Sequence, residues 1–176
     1  MIKMMKIALL HGGFSGEAAI SEKSAEGILD ALQNLGHEVY LVKIINQHWN
    51  CSFEGQEAEI DKNDFSVKFK GNKVNFNQVF NIIHGTPGED GKLAGYFDLL
   101  GIKYNSSGIV SSSLTFNKSW CNRFLSTYGI AVPQSFVFFK GEDNSGFLPQ
   151  LSYPCFVKPN NGGSSIGTHK VGSESE

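Results

Sequence analysis

Three short segments of the chain carry residue types whose spacing suits chemistry on a charged small molecule. The first is His11-Gly12-Gly13-Phe14-Ser15-Gly16-Glu17, leading on to Ile20 and Ser21. Glycines after a strand let a ligand approach the backbone, and the helix N-terminus that follows favours negative charge. A dinucleotide fingerprint needs G-x-G-x-x-G, and that spacing fails from either Gly12 or Gly13. Glu17 would also repel a pyrophosphate, so a carboxylate here suits an ammonium ligand better. A plainer reading stays open, in which Glu17 complements the helix dipole with Ser15 as cap.

The second segment is His84-Gly85-Thr86-Pro87-Gly88-Glu89-Asp90-Gly91. His84 can donate to a carboxylate and Glu89 could orient it, while the bland alternative is a turn with Asp90 capping a helix from Lys92. The third is Val157-Lys158-Pro159-Asn160-Asn161-Gly162-Gly163-Ser164-Ser165-Ile166-Gly167. A lysine beside a loop of amides and hydroxyls can grip phosphate, with charge from the lysine and N–H groups around the oxygens. It is no Walker loop, because G-x-x-x-x-G-K-[ST] is missing, and a simple hairpin connection is the competing reading. Lys118, taken alone, reads as a solvated charge on a helix.

The elements around these segments follow from periodicity. Ile7–Leu10 is an apolar run closed by glycines and reads as a buried parallel strand. Ile20, Ile28, Leu29, Leu32 and Leu35 keep helical spacing up to the stop at Gly36, and Val39–Ile45 makes the next strand. Strand–helix–strand order signals a crossover unit in an open, mostly parallel α/β sheet. Ligands of such sheets sit beyond the carboxyl ends of the strands, where the first two segments fall. Residues 50–77 read as an insertion or sheet edge, with a hairpin at Lys70-Gly71-Asn72-Lys73. Val79–Ile83 is a further buried strand, Leu93, Phe97 and Leu100 mark a helix ending at Gly101, and Ile102–Tyr104 a short strand. The serines at 106–107 and 111–113 mark a domain boundary, giving domains 1–112 and 113–176. Beyond it the pattern predicts a helix over 116–128, a strand at Phe136–Phe139, a loop from Gly141 to Gly146, and a strand into Lys158.

Bulk composition narrows the class. Of 176 residues, 40% are hydrophobic and 18% charged, which supports a packed core rather than disorder. A formal charge of -2 and a single arginine, Arg123, leave no cationic footprint for nucleic acid. Cys51, Cys121 and Cys155 fit neither a disulfide framework nor a zinc site, which suggests a reducing cytoplasm. Met1–Lys6 is too short a pattern for a signal peptide, and no apolar run reaches the ~20 residues of a membrane span.

Taken together, the Gly-Gly-x-Ser-x-Glu segment, His-Gly-x-x-Gly-Glu-Asp-Gly, and Val-Lys-Pro with its Gly-Ser-Ser loop resemble the D-alanine–D-alanine ligase family in type and order. Asn117-Lys118 matches the family's lysine just past the first domain, and the resemblance runs over essentially the whole chain. It implies a substrate-side α/β domain followed by the start of an ATP-grasp domain. The implied activity is ATP-dependent ligation of two D-alanines through an acylphosphate, for peptidoglycan precursors. Glu17 and Ser164 would be catalytic, Ser164 linking Glu17 to a loop beyond this stretch. Glu17 would hold the ammonium of the first D-alanine and His84 its carboxylate, with Glu89 in support and Ile20 and Ser21 lining or bracing the pocket. Lys118, Lys158, Gly163, Ser164 and Ser165 would hold ATP.

Mg²⁺ is implied as well, with its ligands expected in a part not present here, and no metal ligand is assigned to this stretch. The partners implied are D-alanine and ATP, with no nucleic acid and no membrane, and a homodimer is left open. Two departures stand out: Ala18-Ala19 replace charged residues after Glu17, and Asn161-Gly162 stand where many members carry Arg or Glu. The chain reads as cut short of the metal site, and alone it is expected to be inactive. Two rival readings are a D-alanine–D-lactate ligase, which shares every motif quoted, and a non-catalytic nucleotide or amino-acid binding module.

Overall fold

The computed structural model describes residues 3–143 and 145–176; Met1 and Ile2 of the opening stretch, and Asn144 of the Gly141–Gly146 loop, lie outside the described residues. The chain forms two compact units, Met1–Ser113 and Leu114–Glu176.

In the first unit, β1 (Lys6–Gly12) lies between β2 (Glu38–Ile45) and β7 (Gln78–Asn81), parallel to both. Ile7 and Leu9 face one side of the sheet, toward Leu32, Ile28 and Leu29 of α1 (Ala18–Asn34). Ala8 and Leu10 face the other, toward Leu93 and Phe97 of α2 (Lys92–Leu100). Cover on both faces is why this strand reads as an unbroken apolar run rather than an alternating one. Leu9 and Leu10 are both fully buried, and burial contributes about 1.5–3 kcal/mol for each such side chain. Helix α1 stops where expected: the Gly36 and His37 amides donate to Gln33 and Leu32 carbonyls, with Gly36 at φ +82°.

The sheet continues from β2 through β3 (His48–Phe53), β4 (Gln56–Asp61), β5 (Ser66–Phe69) and β6 (Asn72–Val74), every pair antiparallel. The α/β class is as expected, but the sheet is mixed rather than mostly parallel, being parallel only around β1. The reason is local. Glu54-Gly55 and Lys70-Gly71 all have positive φ, the signature of two-residue hairpin turns, and so short a connection can join only antiparallel neighbours. Trp49, Phe53, Phe65, Phe69 and Phe76 of this meander gather with Tyr40 and Tyr96 on the α2 side. Phe65 and Phe97 meet edge-on at 4.9 Å between ring centres. The short strand expected at Ile102–Tyr104 reduces to one parallel bridge, Tyr104 to Val79.

The serine stretch expected at the boundary is partly helical: Ser111–Ser113 belong to α3 (Ile109–Phe116). Ser112 is buried and donates to the Ser107 carbonyl at 3.1 Å, and Ser113 donates to the Asp90 carbonyl at 2.9 Å. Hydroxyls satisfied in this way do not compete with the helix backbone.

The second unit holds α4 (Lys118–Thr127), a 3-10 segment (Ser145–Gln150), and the antiparallel pair β8 (Cys155–Val157) and β9 (His169–Val171). Residues 136–139 are not a strand. Their alternation promised one, but a strand exists only against a neighbour, and none pairs with it among the described residues. None of this unit's described residues is fully buried, and Trp120 and Phe124 on α4, with Tyr128 at its C-cap, stay exposed.

Candidate functional site

The carboxyl end of β1 is built around a backbone turn that only glycine fits. Gly12 has φ +93°, and a β-carbon there would stand 2.7 Å from the Ile44 carbonyl oxygen. The Gly13 amide instead donates to that oxygen at 2.8 Å, and the Phe14 amide donates to the Thr86 carbonyl at 2.9 Å. The first two sequence segments are thereby stitched together, although far apart along the chain.

Side chains tighten the join. Ser15 donates its hydroxyl to the His84 carbonyl at 3.1 Å and accepts from the Glu17 amide at 3.2 Å. Ser15 therefore bends the loop toward His84, while Glu17 itself takes the N-cap position of α1 with no side-chain capping bond. Glu17 is only 3% exposed, whereas a carboxylate that merely complements a helix dipole has no need to leave water. Its carboxylate lies against Gly85, where an added β-carbon would come within 3.0 Å of Oε2. Ser21 is completely buried; it accepts from the Gly12 amide at 3.1 Å and donates to the Ile82 carbonyl at 2.9 Å. It clamps the ends of two strands beneath α1. Ile20 and Phe14, each three residues from Glu17 along the chain, are 46% and 44% exposed.

The His84–Gly91 loop is braced from within. Glu89 accepts from the Gly85 amide at 2.6 Å, and its own amide donates to the Gly85 carbonyl at 2.8 Å. It thus fixes the backbone next to His84. Asp90 accepts from the Thr86 hydroxyl at 2.6 Å, from the Lys92 amide at 3.2 Å and from the Lys92 ammonium. Burial pushes the Asp90 carboxyl up, but the bonds from Lys92 and Thr86 outweigh it and hold the group below the ordinary aspartate range. His84 is half-buried.

The third segment lies in the second unit. A cleft of about 280 Å³ is lined by Lys118, Lys158, Gly163, Ser164, Ser165 and Thr168 among others, with no acidic side chain among the described residues of its wall. Lys118, read alone as a solvated charge, is half-buried and donates to the Gly162 carbonyl at 2.6 Å. Asn117 caps α4 by accepting from the Trp120 amide at 2.9 Å, and also accepts from Asn160 at 3.0 Å. Asn160 in turn accepts from the Ser119 amide at 2.9 Å. This Asn117–Asn160 link, which ties the helix start to the loop, had no signature in the sequence beyond a capping residue before a helix. Ser164 and Ser165 have φ of +48° and +56°, left-handed values that cost side-chain-bearing residues on the order of 1–3 kcal/mol and concentrate at ligand clamps. Lysines, a helix start and a glycine-serine loop around one cleft suit the oxygens of a polyphosphate.

No group of three or more His, Cys, Asp or Glu able to hold a metal ion occurs among the described residues. No helix among them is long and apolar enough to cross a membrane. Cys51, Cys121 and Cys155 are free thiols.

Comparison with known proteins agrees with both units. The sequence profile of the D-ala D-ala ligase N-terminus matches residues 6–107, and that of the D-ala D-ala ligase C-terminus matches residues 124–176. The chain is 44% identical over 168 residues to a D-alanine--D-alanine ligase of Parabacteroides distasonis, covering 94% of this chain and 51% of the relative. Among solved structures, D-alanyl-alanine synthetase A from Vibrio cholerae superposes with a TM-score of 0.83 at 27% identity, over 99% of this chain and 54% of that one. The D-alanine--D-alanine ligase from Bacillus anthracis, complexed with ATP, gives 0.71 at 26% identity, over 97% and 51%. The chain spans about half the length of the curated relatives it matches.

Proposed function

Because the chain belongs to the D-alanine–D-alanine ligase family, we propose that it supplies the amino-acid crevice and part of the nucleotide grip of an enzyme that joins two D-alanines using ATP. Its product would serve cell-wall precursor synthesis in the bacterial cytoplasm. The observation that carries this reading is Glu17, a carboxylate 3% exposed and walled by Gly85 in a loop bonded to the backbone of His84. A carboxylate held in that enclosure is a strong acceptor for an ammonium group, and an imidazole nearby can donate to a carboxylate. An amino acid carries both.

The division of labour follows from the chemistry. A carboxylate does not condense with an amine until its oxygen becomes a good leaving group. Transfer of a phosphoryl group to the first D-alanine does this, forming an acylphosphate that the second amine attacks with loss of phosphate. Positioning and charge neutralisation drive such transfers. Glu17 would hold the ammonium and His84 the carboxylate of the first D-alanine, with Glu89 keeping the His84 loop in shape and Ile20 and Ser21 lining and bracing the pocket. Lys118, Lys158 and the Gly163–Ser165 loop, Ser164 included, would bind phosphate oxygens. Mg²⁺ would supply further charge neutralisation from ligands outside this stretch, and a homodimer is the assembly we propose.

The test is Glu17→Gln in a ligase of the relatives' full length that carries this stretch. The amide keeps the shape and removes the charge, and a charged hydrogen bond is worth about 1.5–3 kcal/mol. The kcat/KM for D-alanine should therefore fall about ten- to a hundredfold with the KM for ATP unchanged. An unaltered response to D-alanine would refute the assignment.

A further inference from the structure

The imidazole of His11 sits at the end of β1, one residue before the glycine turn, and the family reading leaves it without a task. Strand alternation puts it on the same face as Ile7 and Leu9, beneath α1. Lys43 is its register partner on β2, and the Lys43 ammonium bonds Glu22 of α1 at 2.8 Å. On the β7 side the chain brings Ile82, which carries no charge, to this face. The charged groups that act on the ring are therefore Glu22 from α1 and Lys43 from β2. Its Nδ1 atom is buried with no hydrogen-bond partner among the described residues.

We propose that His11 is a positioning residue for the Glu17 site: while neutral it leaves Glu22 on Lys43 and α1 seated, and once protonated it draws Glu22 away and loosens the turn that carries Glu17. The relevance to D-alanine rests on the reading of Glu17 given above; the coupling itself does not. The mechanical path is short. The residue after His11, Gly12, donates its amide to Ser21; the Ser21 amide donates to the Glu17 carbonyl at 3.1 Å; and Glu22 is the next residue along. A proton on the ring adds a donor that competes with the Lys43 ammonium for one carboxylate.

The direction in pH follows from burial. Desolvation holds the ring below the ordinary histidine value of 6.5, with Glu22 pulling it up and Lys43 pushing it down. The seated arrangement is thus fully present above 6.5 and is lost as pH falls through the lower folded value.

The test is an NMR titration of the labelled chain from about pH 8 to about pH 5, reading the His11 ring and the amides of Gly12, Ser21 and Glu22. The ring should titrate below 6.5, and the three amides should move with the same midpoint. In His11→Gln their movement in that window should vanish. Should that variant not fold, Glu22→Gln decides: without the carboxylate the ring midpoint should fall below the wild-type value and the amides should no longer follow it. Amides that titrate unchanged in His11→Gln, or that still follow the ring in Glu22→Gln, would overturn the proposal. D-alanine added to the same samples separates the two ideas. Coupled amides with no D-alanine response around Glu17 leave His11 in its role and remove the ligand reading, and the reverse pattern does the opposite.

Discussion

Ser21→Ala removes one oxygen that serves two backbone groups at once, the Gly12 amide at 3.1 Å and the Ile82 carbonyl at 2.9 Å. The residue is fully buried, so water does not take the place of the lost hydroxyl. Leaving a buried donor or acceptor unmade costs about 1–3 kcal/mol, and here there is one of each. Alanine's better helix propensity returns about 0.5 kcal/mol. The net loss is about 1.5–5.5 kcal/mol, concentrated where α1 meets the carboxyl ends of β1 and β7. Native-state hydrogen exchange reads it directly. At about 1.4 kcal/mol per tenfold change, protection of the Gly12 amide should fall roughly a hundredfold. Ser24→Ala is the control, because that hydroxyl donates to the Ile20 carbonyl one turn back, at 2.9 Å on the exposed side. It should change stability by less than about 0.5 kcal/mol. If the two variants behave alike, Ser21 is not the clamp that holds the Glu17 turn.

Gly12→Ala should cost more than Gly36→Ala, although both glycines have positive φ, because only the first places a β-carbon against backbone, 2.7 Å from an oxygen. Left-handed strain of about 1–2 kcal/mol is common to both, so a urea-melt excess of about 1–3 kcal/mol measures the close approach, and equal costs would refute it. Burial pushes the Cys51 thiol up to about 12. Under native conditions at about pH 8 a thiol reagent should therefore reach Cys121 and Cys155 and spare Cys51; three fast thiols would contradict this. Finally, α4 amides should exchange orders of magnitude faster than those of β1, because none of the second unit's described residues is fully buried. Comparable protection in the two elements would show that burial is not what separates them.

The parts of the fold that the sequence made legible are those with local causes. Buried runs such as Ile7–Leu10 and the α1 stripe ending at Gly36 carry their periodicity and stop signals within a few residues. Strands β3 and β4 were hidden inside a stretch read as an insertion or sheet edge, of which only the hairpin around Lys70-Gly71 was placed. Their outward residues Asn50, Ser52, Glu57 and Glu59 are polar, and so short an alternation resembles loop composition until the partner strand is known. Phe136–Phe139 fails for the opposite reason. Its pattern is strand-like, but pairing is not a property of one segment, and no neighbour supplies it among the described residues. The serines at 111–113 look like linker residues because their composition does not reveal that Ser107 and Asp90 carbonyls will accept from them.

The same distinction runs through the candidate site. Residue type and spacing were enough to single out Glu17, His84, Lys158 and the glycine-serine loop, since their chemistry is carried by the side chain itself. They were not enough to say what Ser21 and Glu89 do, because each acts on a backbone group whose position the fold decides. Ser21 holds a carbonyl 61 residues away, and Glu89 holds an amide four residues back. Lys118 shows the point from the other side. Alone on a helix it has no reason to be more than a solvated charge, and it meets the Gly162 carbonyl where Asn117 and Asn160 tie that helix to the loop. Groups that would touch a ligand are thus legible from chemistry, whereas groups that hold those in place become legible only when distant backbone is brought alongside. For this reason the most informative substitutions are at Ser21, which clamps backbone on either side of the Glu17 turn, and at His11, which we propose acts on that turn through Glu22.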